Sequence, residues 1–315
     1  MAKTDNIEKT PEQITQEQLR KENDYIIKNK RVRRQSRRRT IVIILLIFLL
    51  IISLLAGATY AIMQFVDESN FRVSVTHNGT AFLSLSNDYG FENPSSFLDV
   101  SAPKNMDNCT LCSYLDYKVF DIYNTNGAYE GDGTDRFYIA TTFYLRNEGD
   151  EMIDYCEKIT LDRTVKGMEK AIRIMMIKDE HPNKDDVSNA NDDEETSINY
   201  GTITVYAAPK EDGSLEEVVP YTQGGRLRFP YTPQGMSAFE GFSFNEEDIR
   251  EDGVWMTKAF KGNGYVMNSE FYPLNPGEII KYTVVIWLEG NDEQCVDDIL
   301  GGQVKLAVEF DTGTN

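Results

Sequence analysis

The sequence predicts a mainly β protein with a single N-terminal transmembrane helix followed by an antiparallel β-sandwich carrying loop insertions. Three observations predict it. Residues 41–66 run without a charged side chain, directly after Arg37, Arg38 and Arg39. Several later segments alternate apolar and polar residues with period two, the pattern of strands with one buried face. Segments with helical period are short and few.

The apolar run comes first. As a helix, residues 41–66 reach about 39 Å at ~1.5 Å per residue. The bilayer hydrocarbon core is about 30 Å, so the segment spans it with some tilt. A helix pairs all its own backbone groups, as lipid demands. A buried helix of a soluble core is the alternative, but Ile, Leu and Val on every side leave no polar face.

The flanks set the orientation. Residues 1–40 carry 12 Lys/Arg and 6 Asp/Glu, a net charge of +6. The whole chain is −19 and the span is uncharged, so residues 67–315 carry −25. Lys30, Arg31, Arg33, Arg34, Arg37, Arg38 and Arg39 abut the span, and such clusters stay cytoplasmic and attract anionic headgroups. Nucleic-acid binding is the rival reading of this cluster. Its position against the span and the acidity of the remaining chain oppose it. The expected organisation is a disordered basic cytoplasmic tail at 1–39, a transmembrane signal anchor at 40–66 and an extracytoplasmic β-sandwich at 67–315. Within the tail, Thr10-Pro11-Glu12 suits a short helix start. The long basic region and long apolar core favour an uncleaved anchor. Ala56-Gly57-Ala58 and Thr59-Tyr60-Ala61 are nonetheless small-x-small patterns of the kind signal peptidases cut.

The strands follow in order. Phe71, Val73 and Val75 alternate with Arg72, Ser74 and Thr76. Phe137, Ile139, Phe143 and Leu145 share one face of 137–145. Ile203 and Val205 oppose Thr202, Thr204 and Tyr206. Val304, Leu306, Val308 and Phe310 oppose Lys305, Ala307 and Glu309. One buried face suits antiparallel sheets. Residues 171–177 (AIRIMMI) and 279–288 (IIKYTVVIWL) are apolar on both faces, the mark of central strands. Pro276-Gly277 predicts a type II turn before the latter. Asn147-Glu148-Gly149-Asp150 closes the strand at 137–145. One or two helical turns are expected at 167–171 and 293–300. The acidic run 179–195 reads as a mobile loop, and 221–253 has no clear period.

Little in the sequence points to catalysis. The only histidines are His77 and His181, and no HExxH, GxSxG, Walker loop or strand-linked GxGxxG occurs. Carboxylate pairs carry no information among 51 acidic residues. The expectation is a protein that is not an enzyme and has no cofactor. Residues 130–135 and 185–195 offer the oxygen donors that calcium prefers, but without EF-hand spacing. Cys109 and Cys112 form a CxxC, while Cys156 and Cys295 are isolated. Four cysteines allow three pairings; Cys109–Cys112 with Cys156–Cys295 is the favoured one. Redox and zinc readings of the CxxC lack an α/β context and a second CxxC, respectively. Asn78-Gly79-Thr80 and Asn108-Cys109-Thr110 match the glycosylation sequon, relevant only in a eukaryotic secretory path. In 221–253, the aromatics Tyr221, Phe229, Tyr231, Phe239 and Phe242 are candidates for a contact surface, the alternative being a satellite core.

Gly57-Ala58-Thr59-Tyr60-Ala61, ending an apolar segment, resembles the export region of camelysin- and TasA-like surface proteins of spore-forming Gram-positive bacteria. Residues 143–150 (FYLRNEGD) and 274–278 (LNPGE) resemble β-sandwich segments of those proteins. Residues 287–292 (WLEGND), followed by Cys295 and Gly301-Gly302, resemble a C-terminal block of Gram-positive surface proteins. The resemblance implies a jelly-roll-like sandwich and, in some members, matrix fibres built by strand exchange. This chain differs in its long basic tail, its anchor and its four cysteines. Some relatives carry a metallopeptidase label, but the zinc motif it requires is absent. The expected role is structural, adhesive or matrix-forming at the cell surface. The expected partners are membrane lipids and another protein or a second copy, with no nucleic acid. The alternatives are an anchored ligand-binding or accessory subunit of a membrane complex, and an extracytoplasmic enzyme.

Overall fold

The computed structural model describes residues 20, 24, 25, 28, 43–53, 71–76, 82–100, 108–115, 118–129, 137–182, 199–219, 232 and 239–313. The chain divides into two units, Met1–Glu68 and Ser69–Asn315. In the first unit residues 43–53 are helical (α1), and Ile43, Leu45, Phe48 and Leu50 are exposed along it. No helix among the described residues is long and apolar enough to cross a membrane. The rest of the predicted 40–66 span lies outside the described residues, as do the helix start at Thr10-Pro11 and the Arg37–Arg39 cluster.

The second unit is mainly β. A six-stranded sheet contains β1 (Phe71–Thr76), β3 (Phe97–Asp99), β6 (Ile153–Val165), β11 (Tyr265–Asn268), β12 (Tyr272–Leu274) and β14 (Gln303–Thr312). Its order is β11-β6-β14-β1-β3, with β12 also on β6. An eight-stranded sheet contains β2 (Leu83–Ser86), β4 (Gly127–Tyr129), β5 (Tyr138–Asn147), β7 (Ile172–Asp179), β8 (Thr202–Ala207), β9 (Ser243–Phe244), β10 (Lys258–Ala259) and β13 (Ile279–Leu288). Its order is β10-β8-β7-β13-β5-β2, with β4 on β5 and β9 on β8.

Both sheets are mixed, which corrects the purely antiparallel expectation. β1 runs parallel to β14, and β8 runs parallel to β9 and β10. A parallel neighbour cannot be reached by a hairpin. The chain returns beside β1 first as antiparallel β3, and supplies its parallel neighbour β14 only as the last strand.

Alternation decides what each strand buries. Phe71, Val73, Ile159, Leu306, Val308 and Phe310 of one sheet share a core with Leu85, Phe143, Leu145, Ile174, Tyr282 and Val284 of the other. A second apolar cluster lies on the other side of the central strands. Met175, Ile177, Ile203, Val205, Val285 and Trp287 pack there against α2 (Cys112–Leu115), α3 (Val119–Tyr123), Phe239, Phe242 and Trp255. The eight-stranded sheet is thus covered on both faces, which is why β7 and β13 are apolar on both. β13 sits between β7 and β5, the central position its sequence predicts.

The turns behave as their residues require. Gly277 has φ +74° and follows Pro276, and Glu278 N–H donates to Asn275 O at 3.1 Å. Asn147 is fully buried and fixes the end of β5: its Nδ2 donates to Glu151 O (2.8 Å) and Leu274 O (3.0 Å), and its Oδ1 accepts from Gly149 N–H (2.9 Å). The expected short helices are single 3₁₀ turns at Met168–Lys170 and Asp297–Ile299. Residues 183–198 and most of 220–238 lie outside the described residues.

Candidate functional site

Three polar centres are built into the β unit, each because a charged residue occupies a buried strand position. Burying a charge is costly unless it is paired, so each charge recruits its surroundings.

The first lies between the sheets. Glu157 of β6 points inward, where it is almost fully buried. Its Oε1 accepts from Tyr282 Oη (2.7 Å) and Tyr155 Oη (3.2 Å) and meets Lys178 Nζ at 2.8 Å. Lys178 also lies 4.7 Å from the centroid of the Tyr272 ring. Burial alone would lower the Lys178 pKa, but the Glu157 carboxylate outweighs it and the pKa is raised. Burial raises the Tyr282 and Tyr155 hydroxyls far above the usual phenol value, so both remain donors.

The second lies on the outer side of the eight-stranded sheet. Lys281 of β13 stands between Asp179 of β7 and Tyr144 of β5 in register. Its ammonium sits 3.5 Å from the centroid of Tyr123, a cation–π contact. The Tyr123 hydroxyl donates to Asp179 Oδ2, and Tyr123 packs edge-on against Tyr200 and Phe242. This centre ties α3 to the sheet.

The third lies at the other end of the same face. Arg173 of β7 is fully buried and meets Asp292 Oδ2 at 2.6 Å and Glu216 Oε2 at 3.6 Å. The Arg173–Asp292 contact is close but poorly directed, since neither Nη2 nor Oδ2 meets hydrogen-bond geometry with any partner. It is therefore an electrostatic contact. Beside it, Glu289 accepts from Trp287 Nε1 (3.0 Å), Cys112 N–H (3.2 Å) and Asn291 N–H (3.4 Å). Burial pushes the Glu289 and Glu216 carboxyls up, opposed at Glu289 by these donors and at Glu216 by Arg173. A bridge between Thr110 and Glu289 lays the CxxC segment along residues 288–290.

The predicted site residues distribute unevenly. Among the described cysteines no disulfide is formed. Cys109 is exposed and Cys295 is partly exposed; burial, and then the neighbouring Cys109, raise the Cys295 thiol pKa. Cys112 is buried under Glu289. Cys156 is buried on β6, and its thiol pKa is raised by burial. The expected Cys109–Cys112 and Cys156–Cys295 pairs are thus replaced by a contact between Cys109 and Cys295, because the Thr110–Glu289 bridge carries Cys109 to the turn that ends in Cys295. Phe239 and Phe242 are buried, packing beside Trp255 and against Tyr123. They are core, since α3 and the 239–257 segment close over the sheet. Tyr221, Phe229 and Tyr231 lie outside the described residues, as do the acidic runs 130–135 and 185–195, His77 and the Asn78 sequon. Asn108 is exposed.

His181 is exposed, and its imidazole pairs with no nucleophile among the described residues. No group of three or more His, Cys, Asp or Glu is arranged as a metal site among them. Sequence reading missed Arg173, Glu157 and Lys281 as organising residues. A signal was available for Arg173 and Lys281, each a lone charge inside the apolar runs 171–177 and 279–288; Glu157 has none, because Asp154, Lys158, Asp162 and Arg163 share its strand. No protein-family model matches the chain, and no curated protein is significantly similar to it. What the fold defines is a mainly β protein with two mixed sheets and three buried polar ties.

Proposed function

We propose that the chain is a non-enzymatic, single-pass membrane-anchored surface protein with a structural, adhesive or matrix-assembly role. The observation that carries this reading is the uncharged run at 40–66 behind seven basic residues at 30–39. The helical residues 43–53 present apolar side chains all along it, which favours a lipid-facing anchor. The basic tail stays in the cytoplasm and binds anionic lipid, and the acidic β unit lies outside the cell. That unit is a β-sandwich of jelly-roll-like character whose charged residues are used to hold it together.

One feature supports a structural role over catalysis: Arg173, Glu157, Lys178 and Lys281 are each engaged in a buried tie. The outer partner is a second copy or a neighbouring surface protein, and no cofactor is invoked. Two assays on the full-length chain in detergent test this reading. Chemical cross-linking at cell density is expected to capture it in homo-oligomers or in a complex with another surface protein. Turnover of a peptide, glycan or thiol substrate, abolished by one point substitution, would overturn it.

A further inference from the structure

We propose that Cys109 and Cys295 are a disulfide site that locks the α2 cover onto the end of the eight-stranded sheet, with Cys112 and Cys156 remaining thiols. Four observations place the two sulfurs together. Cys109 neighbours Cys295 closely enough to add to the burial that raises its thiol pKa. Thr110 N–H donates to Leu288 O (2.9 Å) and Gly290 N–H donates to Thr110 O (2.8 Å), which fixes Cys109 beside residues 288–290. A Cβ at Gly290 would stand 3.2 Å from Cys109 Sγ, so the missing side chain lets the segments close. Cys295 is held by a compact turn, with Asp292 N–H on Glu289 O (3.1 Å) and Cys295 N–H on Asp292 O (3.0 Å).

Cys112 is turned inward into the apolar cluster with Leu115 and Trp287. Cys156 sits on β6 in the other sheet, opposite Asp311 of β14.

The oxidant is a disulfide: an exchange partner outside the cell or, in vitro, oxidised glutathione. The exposed Cys109 thiolate attacks it, forming a mixed disulfide and releasing one thiolate. Cys295 then loses its proton and attacks Cys109 Sγ, expelling the second thiolate. The two protein thiols give up two protons and two electrons, and the oxidant disulfide becomes two thiols. Burial, then the neighbouring Cys109, push the Cys295 thiol up to about 11, so exposed Cys109 is the entry point. Closing this bond joins chain positions far apart in sequence, which restricts the unfolded chain.

The site rests on the extracytoplasmic reading only for its oxidising surroundings. The full-length chain is purified, treated with oxidised glutathione, alkylated and mapped by mass spectrometry without reduction. A Cys109 peptide joined to a Cys295 peptide is expected, with two thiols left to label after unfolding. The link should survive in Cys112→Ser and disappear in Cys109→Ser. Oxidation should raise the thermal midpoint of the parent and of Cys112→Ser, but not of Cys109→Ser. A Cys109–Cys112 or Cys156–Cys295 link, no link, or loss of the link in Cys112→Ser overturns the proposal. Because pairing is scored on purified protein, its failure is independent of where the chain resides. A chain that pairs in vitro but is found in the cytosol overturns the location alone.

Discussion

Arg173→Met is the sharpest test of the polar ties. The side chain of Arg173 is fully buried, and that of Asp292 is 1% exposed at 2.6 Å from it. Glu216 is 3.6 Å from Arg173 but also 3.7 Å from Lys210, so it keeps one cation in the variant. Asp292 does not. Removing one partner of a buried ion pair costs about 3–5 kcal/mol, because the remaining charge is left uncompensated. For a unit of this size each kcal/mol is worth ~2–4 °C, so the thermal midpoint should fall by ~6–20 °C. Methionine fills most of the aliphatic volume, so the loss reports charge more than cavity. Adding Asp292→Asn removes the stranded charge and should recover most of the deficit, the non-additivity expected of one network. Glu216 and Glu289 are pushed up by burial, so they take up protons early as pH falls, and the deficit should narrow toward pH 5. The assay is thermal unfolding of the full-length chain in detergent, followed by circular dichroism. A variant within about 1 kcal/mol of the parent, or a double variant worse than the single by a further additive loss, would refute the reasoning.

Other outcomes follow from the same geometry. Tyr282→Phe deletes a 2.7 Å hydrogen bond to the Glu157 carboxylate and should cost ~1.5–3 kcal/mol in denaturant unfolding, with little change in fold. Gly201→Ala should cost more. Gly201 has φ +108°, and an added Cβ would fall 2.5 Å from the Lys178 carbonyl oxygen, so the backbone at the start of β8 must move; loss of the folded state in a chemical-denaturation curve is the expected result. The raised Glu289 pKa has a defined sign. Its contribution is fully present below the ordinary carboxylate range and is lost as pH rises through the higher folded value. Glu289→Gln, which keeps an acceptor for Trp287, should therefore gain on the parent as pH is raised from about 5 to about 8 in paired melting curves.

How much was legible in the sequence depends on what each strand faces. β1 reads directly from Phe71, Val73 and Val75, because one face is core and the other is not. β13 reads as central because both of its faces are covered. β6, the longest strand, did not read at all. Its inward face carries Glu157 between Tyr155 and Ile159, and its outward face includes buried Cys156, so the alternation is broken in both directions. Besides Tyr155, the residues that make a buried Glu157 tolerable are Tyr282 and Lys178, more than twenty positions away in sequence. Short edge strands such as β9 and β10, two residues each, have no period to detect. Phe239 and Phe242 looked like surface candidates because a satellite core and a contact surface share the same composition. The Cys109–Cys295 contact depends on the Thr110–Glu289 bridge, a tertiary pairing that cysteine spacing does not encode.

The central claim is that an acidic β unit stands outside the cell behind a retained helix. Protease added to intact cells, followed by intact-mass measurement of the washed membrane fraction, tests it most directly. The account predicts full-length chain in membranes before digestion and, after it, loss of the β unit with the basic tail and span protected. A chain recovered from the cytosol, or one whose β unit is cut only after lysis, would contradict it.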